Sequence, residues 1–229
     1  LPFEKEFFEK KHQFAVKYVG HPLLDWVIIK KKPTGFLTKN HISKTKPLIA
    51  LLPGSRLQEI KKILPIYLSI TKHFPQYEFV IAGAPGIALK EYSLLIKKEE
   101  VKVIYNQTHD LLMHSTAALV SSGTATLETA LFDVPQIVCY RSSFLSYQIA
   151  KRLVKLKFIS LVNLILNREV VKELIQNSLT PHELKKQMDF ILSDVGQKQI
   201  KADYQSLRFI LGEGGASKKT AELIFEAIK

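Results

Sequence analysis

A chain of 229 residues, 46% hydrophobic and 24% charged, holds enough apolar material for one sizeable core or one domain plus trimmings of another, which excludes a disordered chain. Its formal net charge of +12, from 33 Lys and Arg against 21 Asp and Glu, points to anionic partners: nucleic acid, anionic lipid or nucleotide phosphate. The single cysteine, Cys139, excludes an intrachain disulfide framework, and the longest weakly polar stretch, Phe158 to Leu166, is far shorter than the roughly 20 residues that cross a bilayer. The sequence starts at Leu1 and Pro2 with no recognisable leader, so no targeting segment is assigned, and a piece of a longer protein is consistent with it.

The first 46 residues follow no tidy sheet pattern. Phe14 to Val19 is strand-like, Gly20-His21-Pro22 is a turn, and Lys30 to Pro47 is polar and basic, so a linker entering the main domain is expected. From about Pro47 short apolar runs alternate with longer helical patterns, the signature of βαβ units in a parallel sheet. The predicted strands are Leu48–Leu52, Glu78–Ala82, Val101–Ile104, Ala117–Ser121 and Gln136–Tyr140. Between the first two, Leu57, Ile60, Leu64, Tyr67 and Leu68 make one helical face, with Pro65 placed to kink or divide the helix. Further helices are predicted after the Gly83-Ala84-Pro85-Gly86 turn through Lys97, around Asp110 to His114, and from Thr124 to Phe132. The fold class is therefore α/β, a doubly wound Rossmann-like parallel sheet of five strands, in which Cys139 is a small buried apolar residue. Beyond Tyr140 strand signals fade. Helices are expected at Phe144–Val154, after the capping box Thr180-Pro181-His182-Glu183, at Gln199–Leu211 and at Ala216–Ile228, the last two separated by a flexible Gly212-Glu213-Gly214-Gly215 hinge.

In an open parallel sheet, ligands bind outside the carboxyl ends of the strands, where turns lead into helix N-termini that favour anions. Two turns suit that task. Leu52-Pro53-Gly54-Ser55-Arg56 places a glycine, a hydroxyl and a guanidinium after a strand, and Arg56 could pair bidentately with a phosphate. Ser121 to Glu128 is richer: Gly123 admits close backbone approach, and the amides and hydroxyls of Ser122, Thr124 and Thr126 gather at the mouth of a helix. Glu128 lies about 6 Å further along that helix, where its carboxylate could accept from both hydroxyls of a ribose attached to a bound diphosphate. The bland alternatives are an ordinary loop ending in a surface arginine and a plain cap followed by an exposed glutamate. No metal site is read: there is no His-Glu-x-x-His, and His109 and His114, five apart, fall on different helix faces.

Four ordered segments resemble the motifs of the lipid A disaccharide synthase family: Leu52 to Ile60; Ser122 to Glu128; Ala150 to Lys155 with Ile159 to Ile165; and Arg168 to Gln176. Leu1 to Glu4 and Tyr18 to Asp25 are similar to the passage by which that family leaves its N-terminal domain, so the resemblance covers essentially the whole chain. It implies the C-terminal, donor-binding half of a GT-B glycosyltransferase, with residues 1–46 ending the N-terminal domain and linker, 47–195 forming the UDP-sugar-binding domain, and 196–229 forming C-terminal helices that pack on or cross to the partner domain. Family members transfer diacylated glucosamine from UDP to diacylated glucosamine 1-phosphate with inversion, without metal or other cofactor. Carried over by motif, Gly54, Ser55 and Arg56 would face the diphosphate, with Ser122, Gly123, Thr124 and Ala125 on its other side. Glu128 would bind the ribose; Asn163 and Arg168 would lie by the donor, supported by Glu169. Arg56 and Asn163 would stabilise the departing UDP, while the family's aspartate base belongs to the N-terminal domain.

The implied partners are the UDP-diacylglucosamine donor, a lipid acceptor, an anionic membrane surface contacted from the cytoplasm, and a second copy in a homodimer. Lys151 to Phe158, which interleaves cations with apolar residues, suits such a surface, although a surface helix with one face on the core has the same pattern. Val162 stands where many members have proline, and Asn167 where many have glycine. The competing readings are another GT-B UDP-GlcNAc transferase or epimerase domain and, in a different class, a basic nucleic-acid- or membrane-binding module. Scattered lysines, no recognised reader motif and a single tryptophan, Trp26, count against nucleic acid.

Overall fold

All five predicted strands form, and a sixth joins them. The computed structural model describes residues 1–97, 100–142 and 157–228. Its strands are β1 (Leu48–Leu52), β2 (Glu78–Gly83), β3 (Lys102–Tyr105), β4 (Ser115–Ser121), β5 (Gln136–Tyr140) and β6 (Lys172–Ile175), arranged β3-β2-β1-β4-β5-β6. Every pairing is parallel. The direction in which strands are added reverses between β1 and β4, so the crevice of this Rossmann-like sheet opens at their carboxyl ends. The sixth strand corrects the expectation that helices take over beyond Tyr140. Its sequence, Lys-Glu-Leu-Ile, buries only Leu174, because it is an edge strand paired with β5 alone, and an edge strand lacks the continuous apolar run that marks a central one.

Alternation along the strands divides the interior into two cores. Ile49, Leu51, Phe79, Ile81 and Leu119 join the larger one, under α4 (Leu57–Thr71) and the C-terminal helices. Leu48, Ala50, Leu52, Val80 and Val120 join the smaller one, with Phe36 of α3 (Phe36–Lys39) and Leu111 and Leu112 of α6 (Thr108–His114). Cys139 is fully buried in β5, which pushes its thiol up to about 12, as its apolar setting requires.

Pro65 does not divide α4, which runs unbroken from Leu57 to Thr71. The proline is exposed, so the carbonyl left without its amide lies on the solvent side, while seven buried residues, Ile63 and Tyr67 among them, hold the opposite face. The remaining helices between strands are α5 (Leu89–Ile96) and α7 (Thr124–Leu131). After β5 come α8 (Leu161–Leu166), α9 (Pro181–Leu192), α10 (Asp194–Leu211) and α11 (Ala216–Ala227). The predicted Phe144–Val154 helix lies outside the described residues. α9 starts as its cap predicts, with Thr180 Oγ1 accepting from Glu183 N at 3.2 Å and Leu184, Met188 and Ile191 buried. α10 begins five residues earlier than predicted. Ser193 caps it, and a Cβ on Gly196 would lie 2.1 Å from the Phe190 carbonyl oxygen, so the glycine that weakens the helical pattern is there for close approach to α9.

The N-terminal stretch is more structured than a linker. It contains α1 (Pro2–His12) and α2 (Pro22–Ile29), and residues 14–19 form no strand. Instead Tyr18 Oη donates to the Leu211 carbonyl at 3.0 Å. Asp25 of α2 caps α11, accepting from the amides of Gly215, Ala216 (3.1 Å) and Ser217 (2.9 Å). The Gly212–Gly215 segment, expected to be a flexible hinge, is thereby pinned to α2.

Candidate functional site

A cavity of about 600 Å³ opens at the carboxyl ends of β1 and β4, within the size range of small-molecule sites. Gly54 and Ser55 line it from the β1–α4 turn, and Ser122, Gly123, Thr124, Ala125 and Glu128 from the β4–α7 turn and helix. The two turns singled out in the sequence thus face one space. They are joined by Glu59, in the first turn of α4, whose carboxylate accepts from the Ser121 hydroxyl. Gly54 has φ +118°, and a Cβ there would lie 2.2 Å from Glu59 Oε2, so only glycine leaves this carboxylate its place.

The hydroxyls of the second turn divide their work. Thr126 is buried and donates to the Gly123 carbonyl at 2.8 Å, and Ser122 donates to the Ile159 carbonyl at 3.0 Å. Both protons are thus spent on main-chain carbonyls; Ser122 still lines the cavity at the mouth of the helix, whereas buried Thr126 does not. Thr124, exposed and lining the cavity, is the one without a protein partner among the described residues. Gly123 has no atom within 4 Å of where a Cβ would stand, so the backbone amides beside it are open to approach. Arg56 is exposed at the N-cap of α4, adjacent to Ser55 but not among the lining residues, and has no carboxylate partner among the described residues.

Asn163, Arg168 and Glu169 are not brought to the cavity. Asn163 is fully buried. Its Nδ2 donates to the Val171 carbonyl and to Glu173 Oε1, both at 2.8 Å, and its Oδ1 accepts from the amides of Val170 and Val171. With both protons and both lone pairs spent, the amide braces the loop and has nothing left to offer a donor sugar. Glu173 completes the brace by accepting from the Ile159 and Ser160 amides at 2.9 and 3.0 Å. Arg168 pairs with Asp203 of α10 at 2.5 Å, which raises its pKa further, and exposed Glu169 pairs with Lys172 at 3.1 Å. Asn167 ends α8 in the left-handed conformation at φ 50°, which asparagine, like glycine, adopts.

Among the lining residues that are not candidates from the sequence, Trp26 and Lys30 come from the supposed linker, and His109 enters the sequence reading only as half of a metal pair with His114. His109 Nε2 lies 3.0 Å from Glu128 Oε2, and its ring packs on Trp26 with centroids 4.1 Å apart. His114 points elsewhere, stacked on Phe36 at 4.7 Å. Only tertiary contact joins residues 26, 109 and 128, so no local spacing announces them. Among the described residues no group of three or more His, Cys, Asp or Glu is arranged to hold a metal ion, and no helix is long and apolar enough to cross a membrane.

A six-stranded parallel sheet whose crevice is flanked by two glycine-bearing turns is a Rossmann-like α/β fold, the architecture of each half of a GT-B glycosyltransferase. The model of the lipid-A-disaccharide synthetase family matches residues 1–228, and the chain belongs to that family. It is 34% identical over 238 residues to the lipid-A-disaccharide synthase of Persephonella marina, covering 98% of this chain and 63% of the relative. To the synthase of Myxococcus xanthus it is 32% identical over 235 residues, covering 100% and 61%. The chain therefore spans somewhat over three-fifths of these relatives. Among solved structures, the S. aureus MnaA–UDP co-structure superposes with TM-score 0.65 at 14% identity, covering 96% of this chain and 56% of that one. The UDP-GlcNAc 2-epimerase of Neisseria meningitidis bound to UDP-GlcNAc gives 0.59 at 17% identity, covering 91% and 54%. At such identities these two establish the fold alone.

Proposed function

We propose that this chain is the donor-binding part of an inverting glycosyltransferase that transfers 2,3-diacylglucosamine from UDP to 2,3-diacylglucosamine 1-phosphate, forming the β-1,6-linked lipid A disaccharide and releasing UDP. The observation that carries the proposal is the shared cavity: the turn at Gly54 and Ser55 and the start of α7 face each other across the β1–β4 crevice, with Glu128 one helical turn deeper. The diphosphate sits at the α7 N-terminus among the amides following Ser122, and the ribose hydroxyls donate to Glu128. Arg56, on the adjoining turn and without a carboxylate partner among the described residues, swings onto the phosphates. As the glycosidic bond breaks, negative charge grows on UDP, so the guanidinium and helix-end amides hold the transition state more strongly than the ground state.

By the family resemblance, the acceptor proton goes to an aspartate of the N-terminal domain rather than to a residue of this chain, so the 229 residues bind UDP without catalysing transfer. Asn163 acts through the loop it braces rather than on the donor. A lipid acceptor implies a peripheral place on the cytoplasmic side of the inner membrane. Of the basic-apolar segment read for that contact, only Lys157 and Phe158 are described, the lysine over the ring at 5.3 Å. A homodimer remains part of the proposal through the resemblance alone.

Calorimetric titration with UDP, run beside a salt series with a short DNA duplex, tests the reading. Saturable UDP binding with no more than weak, salt-sensitive DNA binding is expected. Failure to bind UDP would overturn it.

A further inference from the structure

His109 stands at the first turn of α6, outside every motif that carries the family resemblance, yet it touches the carboxylate proposed to read the ribose. Its Nε2 is 3.0 Å from Glu128 Oε2, in a pair whose side chains are only 28% and 21% exposed. The imidazole ring is itself held. Trp26 of α2 packs on it at 4.1 Å and Phe132, just past α7, at 5.4 Å, while Trp26 meets Phe132 edge-on at 6.3 Å. Lys30 covers the indole at 4.8 Å and pairs with Asp110, the residue next to His109. Trp26, Lys30, His109, Asp110 and Glu128 all line the same cavity.

A glutamate side chain has three torsions, and two ribose hydroxyls are gripped together only when its carboxylate plane is correctly turned. Holding one oxygen beforehand removes an ordering cost that would otherwise fall on the ligand. Resting on the donor reading above, we infer that His109 is a positioning residue for Glu128, and that α2 contributes to nucleoside recognition by clamping the imidazole through Trp26. His109 fixes Oε2, leaving Oε1 and the second lone pair of Oε2 for the ribose. The N-terminal helix that also caps α11 through Asp25 is thus part of the nucleoside end of the site, not a spacer.

The test is calorimetry of the 229-residue chain with UDP and, separately, inorganic pyrophosphate. His109→Phe keeps a flat ring against Trp26 and Phe132 but removes the polar nitrogen; His109→Gln restores an N–H near the Nε2 position. His109→Phe is expected to weaken UDP about tenfold, to move pyrophosphate less than about twofold, and to be largely rescued by His109→Gln. In a Glu128→Ala background it should add less than about twofold, because the two act as one unit. Trp26→Ala should mimic His109→Phe in sparing pyrophosphate. The ratio of the two affinities within one variant does not depend on the fraction folded, so loss of stability cannot imitate the result. Equal losses for both ligands, or losses that add to those of Glu128→Ala, overturn the inference. If Glu128→Ala weakens UDP selectively and His109→Phe does not, the positioning role falls and the donor site stands. If Glu128→Ala spares UDP, the ribose reading falls and takes the positioning role with it.

Discussion

The Ser122 hydroxyl donates to the main-chain carbonyl of Ile159 at 3.0 Å, tying the turn that opens α7 to the loop that opens α8. The same loop is held from its other side by Glu173, which accepts from the Ile159 and Ser160 amides. Two stretches distant in sequence therefore set one another's position beside the cavity, with the serine as the link.

Ser122→Ala should break that link while leaving the fold intact. One partly buried hydrogen bond is worth about 0.5–1.5 kcal/mol net, so urea denaturation should show a loss of that size. UDP affinity should fall several-fold as the turn loses its brace. A variant with unchanged stability and unchanged UDP affinity would show that the link is idle.

Gly54→Ala should be more damaging than its size suggests. The backbone stands at φ +118°, and the added methyl would lie within 2.2 Å of a Glu59 carboxylate oxygen. Relief requires Glu59 to leave Ser121, so a change in the first turn disturbs the second. A stability loss of about 1–3 kcal/mol and at least tenfold weaker UDP binding are expected, measured by denaturation and calorimetry. Glu59→Gln, which can still meet the Ser121 hydroxyl, should retain most of both.

What could be read from sequence follows from where the information lies. β1, β2, β4 and β5 are covered on both faces, so each is a continuous apolar run, and glycine with small hydroxyl residues after β1 and β4 marks the two turns at the crevice. β6 was hidden because an edge strand of Lys-Glu-Leu-Ile needs only Leu174 inside. The start of α10 was hidden by Gly196, a poor helix former retained because Phe190 leaves no room for a methyl. Asn163 illustrates a different limit. A motif locates an asparagine, but whether its amide faces a ligand or a loop depends on Val170, Val171 and Glu173, which only the folded chain brings to it. Trp26 and His109 meet across 83 residues of sequence, and no spacing rule foretells that.

Asp25 gives an expected acid response. Three amides at the start of α11 and the Ser217 side chain hold its carboxyl down at about 2, against an ordinary 3.8. A carboxyl whose pKa is depressed on folding stabilises fully above its unfolded value and loses that contribution as pH falls through the folded one. The attachment of α11 to α2 should therefore weaken between about pH 4 and pH 2. Hydrogen exchange of residues 216–227 should accelerate beyond the intrinsic pH effect across that window. In Asp25→Asn, exchange there should already be fast at pH 6 and show little further change; a protected α11 in that variant would remove Asp25 from the account.

Asn163→Leu separates bracing from ligand contact. The substitution keeps a similar volume but strands the Val170 and Val171 amides and the Val171 carbonyl in a buried loop, and takes one donor from Glu173. Each buried polar group left unmet costs about 1–3 kcal/mol, and partial relaxation brings the expected total to about 3–5 kcal/mol. Arg168→Ala breaks only a half-exposed pair with Asp203, so its cost should stay under about 1 kcal/mol. Chemical denaturation of the two variants measures both. UDP affinity corrected for the folded fraction should fall only modestly in Asn163→Leu, because the amide reaches the donor through the loop and Ser122 rather than by touching it. A variant that kept its stability and lost UDP affinity would instead place the Asn163 amide on the ligand and require the 160–171 loop to rearrange when the donor binds.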